Sequence, residues 1–186
     1  SECLVGSEMC IRDRTFPSHL GQLPLYYQYK STGRPYANSG WCAKYIDIPS
    51  EPAYPFAFGL SYTTFEYSAL KVLPGDGGKV HARVRVEVKN TGRYEGEEVV
   101  QLYVRDEAAS ITRPVKELKG FEKIALKPGE SKEVVFDITD EQLGFYDNRM
   151  NFVVEKGDFT FMVGTNSRDV DSVSYTFCLL YTSPSP

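Results

Sequence analysis

The stretch Val80-His-Ala-Arg-Val-Arg-Val-Glu-Val88 alternates apolar and polar residues over its whole length. A period of two places the valines on one face of a β-strand and the charged side chains on the other. Clusters of turn-forming residues flank the stretch at residues 74–78 and 90–92. The pattern therefore predicts a strand with one face buried and the other face in water.

Further short strands are predicted on both sides of tight turns in the rest of the chain. They cover residues 99–105, a segment ending at Ile124 and Leu126, and residues 133–138, 151–155, 158–164 and 171–177. Lys127-Pro-Gly-Glu130 predicts a turn. Residues 139–143 predict a single helical turn capped by Thr139 or Asp140.

Six or seven short strands without a long helix favour two stacked antiparallel sheets over a parallel sheet with crossover helices. The length from about Thr63 to Phe177 suits an immunoglobulin-like β-sandwich. A closed barrel is the main alternative. We therefore predict an all-β fold with a sandwich over residues 63–177.

Residues 15–62, here called the lead-in, have a different composition. They are rich in proline, glycine, serine and tyrosine, and only Leu23–Tyr29 could form a strand. A segment of this length without periodicity cannot build a core of its own. We expect it to be the end of a preceding domain and a connector that lies against the sandwich.

The two ends of the chain differ from the rest. Codons can be chosen for residues 4–13 and the start of the Arg14 codon so that the complementary strand encodes residues 178–186 completely. That DNA resembles a transposon-type sequencing-library adapter, so we expect residues 1–14 and 178–186 to be adapter-derived. Three of the four cysteines lie there, which leaves Cys42 and no disulfide framework.

The composition argues against several classes of function. The net charge is −4, with no basic block, which argues against a nucleic-acid surface. No apolar run approaches the roughly 20 residues of a membrane span. His19 and His81, the two histidines, are far apart in sequence, so a zinc site is not expected.

The acidic residues do not predict a catalytic or metal site. Glu97, Glu98, Asp106 and Glu107 flank a predicted strand, where carboxylates are usually solvated. No calcium-loop pattern surrounds Asp169 and Asp171. Residues 75–78 lack the Lys-Ser/Thr pair of a phosphate loop and are expected to form a turn. We expect no catalytic, cofactor-binding or metal-binding residue in this chain.

Aromatic residues of the lead-in have two possible roles, stacking on a sugar ring or packing at a domain interface. They are Tyr26, Tyr27, Tyr36, Trp41, Tyr45, Tyr54, Phe56, Phe58 and Tyr62. Arg34 and Arg113 each precede a proline and so favour extended backbone. Either arginine could pair with a carboxylate across an interface or be a surface charge.

Several motifs resemble glycoside hydrolase family 3, the β-glucosidases and β-xylosidases. Pro55-Phe-Ala-Phe-Gly-Leu-Ser-Tyr-Thr-Thr-Phe65 resembles the linker near the C-terminal end of that family. Residues 99–106, 112–121 and 126–131 are similar to its fibronectin type III-like domain. Residues 21–27 and 32–35 resemble the last stretch of its α/β-sandwich domain. The similarity covers residues 15–177.

The resemblance implies an exo-acting, retaining parent enzyme with an Asp nucleophile on an N-terminal barrel and usually a Glu acid/base on the α/β-sandwich. Such carboxyl groups lie about 5 Å apart, so both domains are required. No residue of this chain matches either role. We therefore expect a non-catalytic C-terminal fragment, without a cofactor, whose sandwich stabilises the catalytic domains.

The expected partners are the barrel and α/β-sandwich domains of the same protein and, for the parent enzyme, β-linked gluco- or xylo-oligosaccharides. The family resemblance implies a periplasmic or secreted location. The alternative is a carbohydrate-binding or adhesion module that works alone.

Overall fold

The computed structural model describes residues 15–30, 47–76 and 79–177. Within these ranges a 3₁₀ turn, Leu20–Gln22, lies in the lead-in, and the sandwich follows. Its strands are β1 (Phe65–Pro74), β2 (Ala82–Asn90), β3 (Gly96–Asp106), β4 (Glu117–Leu126), β5 (Ser131–Ile138), β6 (Phe145–Tyr146), β7 (Phe152–Val153), β8 (Gly157–Gly164) and β9 (Val170–Phe177). A single helical turn, α1 (Asp140–Leu143), follows β5.

The strands form two antiparallel sheets and a small hairpin. One sheet has the order β1-β2-β5 and the other has the order β4-β3-β8-β9, while β6 pairs with β7. The predicted antiparallel sandwich is therefore confirmed.

The core lies between the two sheets and is built from the alternating residues. Val84, Val86 and Val88 of β2 are fully buried against Leu102 of β3 and Phe161 of β8. Burying each such side chain contributes about 1.5–3 kcal/mol. The outer face of the three-stranded sheet is polar, as predicted for the stretch around residue 84.

Charged pairs cross that outer face between β2 and β5. Arg83 Nε donates to Asp137 Oδ1 at 3.0 Å, and Arg85 pairs with Glu133. Because these pairs are exposed, each adds at most about 1 kcal/mol, and their main effect is to keep the face in water.

Thr139 caps the predicted helical turn. Its hydroxyl oxygen accepts from the Glu141 amide at 3.3 Å, and the Gln142 side-chain oxygen accepts from the Thr139 amide at 2.9 Å. This reciprocal arrangement is a capping box, and it occurs at Thr139 rather than at Asp140.

Three elements differ from the prediction. The pattern does not predict β1, because the register shifts between Ser68 and Lys71, and Ala69 there has a φ of 54°. A bulge of this kind breaks the alternation from which strands are predicted. Strand β4 begins at Glu117, seven residues before Ile124, where the predicted segment was recognised. No strand forms over Leu23–Tyr29, the part of the lead-in that could have formed one.

Some predictions lie outside the described residues. They are the adapter-derived ends at residues 1–14 and 178–186, the lone thiol of Cys42, and the side chains of Arg34, Tyr36, Trp41 and Tyr45. Among the described residues, no helix has the length and apolar character that crossing a membrane requires.

Candidate functional site

The middle of strand β3, residues 100–104, is buried on both of its faces. Val100, Leu102 and Val104 point into the core between the sheets. On the opposite face, Tyr103 is 0% exposed and Gln101 is 5% exposed. An antiparallel sheet commonly leaves its second face in water, so something must cover this one.

The lead-in supplies that cover. Tyr27 and Phe56 stack on each other with ring centroids 4.1 Å apart and planes inclined by 12°. Tyr27 also meets Tyr103 edge to face at 6.0 Å. We call the whole group the outer-face cluster: Tyr27, Phe56, Tyr103, Leu118, Met162 and Val170. The expectation that the lead-in lies against the sandwich holds for these two aromatic residues.

The buried polar side chains beneath the lead-in have hydrogen-bond partners. The Tyr103 hydroxyl donates to Gln101 Oε1 at 2.5 Å, and Gln101 Nε2 donates to the Thr165 carbonyl at 2.7 Å. Burial, and then the nearby Tyr27, raise the pKa of Tyr103 well above its usual range. The phenol therefore stays a hydrogen-bond donor, as a buried polar group should.

Two loops of the sandwich hold the backbone of the lead-in. The Val115 amide donates to the Tyr29 carbonyl at 2.9 Å, and the Ser167 amide donates to the Phe56 carbonyl at 3.0 Å. The Lys116 ammonium donates to the Ser167 carbonyl at 2.6 Å and joins the two loops. Burial, and then Arg105, lower the pKa of Lys116.

The two described parts of the lead-in, residues 15–30 and 47–62, are joined by a buried glutamine. Gln22 is 1% exposed, and its Nε2 donates to the carbonyls of Pro49 and Glu51 at 2.6 and 3.1 Å. Its Oε1 accepts from the Ser18 amide at 2.6 Å. Hydrogen bonds of this one side chain therefore hold the two described parts of the lead-in together.

Asn90 holds Thr63, the residue that follows the lead-in, against the rest of the sandwich. This buried side chain accepts from the Thr63 hydroxyl at 2.6 Å and donates to the carbonyls of Tyr94 and Leu126 at 2.8 and 2.9 Å. The Gly92 amide donates to the same Oδ1 at 3.0 Å. One side chain thus connects the start of β1 to the turns that follow β2 and β4.

The four acidic residues that flank β3 make separate hydrogen bonds and ion pairs, although Asp106 and Glu107 line the same cavity. Glu97 pairs with Lys123, whereas Glu98 accepts from the Tyr67 hydroxyl at 3.2 Å. Asp106 accepts from the Ala108 amide, and Glu107 pairs with Arg105. Each carboxylate serves its own local contact.

Near the turn after β8, Asp169 accepts from Asn166 Nδ2 at 2.9 Å and pairs with Arg168. Asp171 faces Val163 across the β8–β9 pair. In residues 15–30, 47–76 and 79–177, no group of three or more histidine, cysteine, aspartate or glutamate side chains could hold a metal ion.

Arg113 pairs with a carboxylate of the sandwich itself. Its guanidinium contacts Glu117 and lies over the Phe145 ring, 4.7 Å from the ring centroid. The side chain is mostly buried and braces the loop that carries Val115 and Lys116. Arg113 therefore supports the contact with the lead-in indirectly.

Sequence reasoning did not find Gln22, Asn90 or Gln101 as structural residues. One signal was available for Gln101, because the central outer positions of β3, Val99, Gln101 and Tyr103, carry no charge, whereas Glu97 and Arg105 lie at its ends. A wet face would show charged residues there, as β2 does. No comparable local signal marks Gln22 or Asn90.

Comparison with known proteins shows which proteins this arrangement is similar to. The fibronectin type III-like domain matches residues 98–167. The periplasmic beta-glucosidase of Salmonella typhimurium is 45% identical over 167 residues, a match covering 87% of this chain and 22% of that protein. The beta-xylosidase of Formosa agariphila is 42% identical, with coverages of 87% and 22%.

Solved structures show the same similarity. The beta-glucosidase of Listeria innocua, in complex with isofagomine, has a TM-score of 0.80 and 43% identity, covering 87% of this chain and 23% of that one. This chain therefore spans about a fifth of the length of the curated relatives it matches. The resemblance seen in the motifs is confirmed: the chain matches the fibronectin type III-like, C-terminal region of family 3 beta-glucosidases and beta-xylosidases.

Proposed function

We propose that this chain is a non-catalytic brace in an exo-acting family 3 glycoside hydrolase. The outer-face cluster is the observation that carries the proposal. Tyr27 and Phe56 of the lead-in complete the face of the four-stranded sheet, so the sandwich fixes a segment that has no core. The lead-in is then the connection through which the sandwich stabilises the catalytic domains.

The chemistry of retaining glycosidases explains why such a brace matters. Their two carboxyl groups must lie about 5 Å apart, and in this family they come from two domains. Small errors in that separation slow the reaction, because reacting groups must be held close to productive geometry. A rigid connection restricts the relative motion of the domains without touching the substrate.

The parent activity that we propose is hydrolysis of β-linked glucosides or xylosides, which the names of the relatives support. A periplasmic or secreted location is proposed on the same ground, since one relative is a periplasmic beta-glucosidase. The chain alone is expected to hydrolyse neither kind of substrate, because no residue of it matches the nucleophile or the acid/base of the family.

A chimera tests the proposal. Residues 15–177 would replace the matching region of the Salmonella typhimurium periplasmic beta-glucosidase, and the comparison enzyme would lack that region. We expect the chimera to hydrolyse 4-nitrophenyl β-glucoside and to survive heating longer than the truncated enzyme. Equal heat-inactivation half-lives would refute the brace.

A matched measurement on the 186-residue chain completes the test. It should give no turnover of 4-nitrophenyl β-glucoside or β-xyloside above background. Turnover that a single carboxylate-to-amide substitution abolishes would show a self-sufficient hydrolase instead, and the proposed function would be wrong.

A further inference from the structure

Large apolar side chains are exposed far more densely in the lead-in than in the sandwich. The 32 described residues of the lead-in contain nine of them, whereas the 113 described residues of the sandwich contain eight. The density is thus about four times higher in the lead-in. Soluble proteins rarely expose such concentrations unless another surface covers them.

Three of these side chains form a contiguous group, here called the aromatic row: Phe16, Tyr54 and Phe58. Their exposed fractions are 71%, 52% and 37%. Phe16 and Tyr54 meet edge to face with centroids 6.3 Å apart, and Tyr54 and Phe58 are 5.0 Å apart. Phe56, which lies between two of them in sequence, instead enters the outer-face cluster.

The backbone holds the aromatic row in place. Phe16 and Tyr54 exchange two backbone hydrogen bonds, of 3.0 and 3.3 Å, and the Phe58 amide donates to the Pro55 carbonyl at 3.2 Å. Gln22 fixes the same two parts of the lead-in. Because these rings are already positioned, docking another surface on them costs little conformational entropy.

We propose that the aromatic row is the docking surface for the catalytic body of the same polypeptide, an inference that rests on the proposed function. The row belongs to the segment whose other side chains pack on the sandwich, so the two contacts are continuous. A match covering 87% of this chain extends well into the lead-in, and about four-fifths of the Salmonella protein lies outside it. The lead-in then packs on the sandwich through one set of aromatics and on the body through another.

Ring orientation favours a protein surface over a sugar as the occupant. The planes in the row are inclined by 79° and 41° to one another. Rings set at these angles present edges as well as faces and suit the irregular surface of a folded domain. A flat platform for successive sugar rings would need more nearly coplanar aromatics.

The test replaces Tyr54 and Phe58 by serine, both in the chimera and in the 186-residue chain. We expect the chimera to lose activity on heating about fivefold faster, a factor that corresponds to roughly 1 kcal/mol. The unfolding temperature of the chain alone should fall much less, because only the contacts within the partly exposed row are lost there. Phe121→Ser is the control, since Phe121 is 69% exposed on β4 and lies outside the row.

Three results would overturn the inference. An equal loss of stability in the chain alone would show that the row packs within the lead-in. An unchanged inactivation rate in a chimera that the sandwich does stabilise would exclude docking while leaving the brace intact. Saturable binding of cello- or xylo-oligosaccharides to the chain, abolished by Tyr54→Ser, would assign the row to sugar binding.

A different result would show that the proposed function itself is wrong. If the unsubstituted chimera is no more stable than the truncated enzyme, the brace and the docking surface are both wrong. A single Tyr54→Ser variant provides a second measurement, and it should show a smaller loss in the same direction.

Discussion

At the scale of single residues, the Asn90 side chain is fully buried and all of its hydrogen-bonding groups have partners. Its oxygen accepts two hydrogen bonds and its amide group donates two. A buried polar side chain with every partner present specifies one arrangement of the surrounding backbone. Here that backbone includes the segment just before β1, so Asn90 fixes the position at which the chain passes from the lead-in into the sandwich.

Replacing Asn90 by alanine should lower the free energy of unfolding by about 3 kcal/mol, because it leaves buried donors and acceptors without partners. Urea unfolding of the 186-residue chain measures the change. The exposed Asn148 is the matched control, and Asn148→Ala should change the same quantity by less than about 0.5 kcal/mol. Similar effects at both positions would contradict the role given to Asn90.

Glu98 introduces a dependence of stability on pH. Its carboxylate lies partly buried and accepts from the Tyr67 hydroxyl, which connects β3 to β1 across the sandwich. Burial raises the pKa of Glu98 from its usual 4.5, although the bonds from Tyr67 and Val99 oppose this. The fold therefore favours the protonated acid.

A carboxyl group whose pKa is higher in the folded than in the unfolded chain stabilises the fold fully at a pH below its pKa in the unfolded chain. That contribution is lost as the pH rises through its pKa in the folded chain. Glu98→Gln keeps an acceptor for Tyr67 but removes the charge. The variant should therefore unfold at higher urea concentration than the parent chain at neutral pH. The difference should disappear as the pH falls towards 4.5.

The neighbouring Glu97 is the control for that experiment. It is exposed and pairs with Lys123 on the adjacent strand. Glu97→Gln should not reproduce the pH-dependent gain. A gain at Glu98 that stays constant from acidic to neutral pH would show that ionisation is not its cause.

At the scale of elements, the outer-face cluster makes the lead-in and the four-stranded sheet depend on each other. Tyr27→Ala removes the stack on Phe56 and the edge contact with Tyr103. The loss of these contacts is worth at least about 1.5 kcal/mol. We expect trypsin to cleave after Lys30 about tenfold faster, since local opening becomes correspondingly more frequent.

Tyr29→Ala is a matched substitution two residues away. The Tyr29 side chain is 60% exposed, and its backbone carbonyl can still accept from Val115 in the variant. Cleavage after Lys30 should remain close to the parent rate. If both variants are cleaved equally fast, the lead-in is not held by the cluster.

Local patterns predicted the regular strands well because alternation is a property of neighbouring residues. Strands β2, β3, β5, β8 and β9 all show it, and the turn at residues 127–130 has its own signature. Strand β1 was missed because a bulge shifts its register within four residues. A bulge depends on the partner strand, so the sequence of β1 alone does not reveal it.

The candidate site could be predicted only in outline. The richness in aromatics implied that the lead-in packs on something, but the pairing of Tyr27 with Tyr103 joins residues that are far apart in sequence. Gln22 is similar, since its acceptors belong to residues 49 and 51. Contacts of this kind depend on the whole folded chain and leave no local periodicity.

At the scale of the whole molecule, we propose that the folded unit is formed by residues 15–177 and that residues 1–14 and 178–186 are adapter-derived. Removing both ends should leave the unfolding temperature within about 1 °C of that of the 186-residue chain, because surface changes away from packed features have small effects. Differential scanning calorimetry of the two chains tests this. A drop of several degrees would show that the ends contribute to the fold.

The double burial of β3 also bears on how this module could be exchanged between enzymes during evolution. Tyr103 packs against Tyr27, which is encoded well upstream. A recombination event at residue 62 would therefore separate two partners that must be inherited together. The sandwich of a distant homologue would then pack against a lead-in whose side chains come from a different protein. Shuffling should succeed when the crossover falls upstream of residue 15, which makes the lead-in and the sandwich a single unit of inheritance.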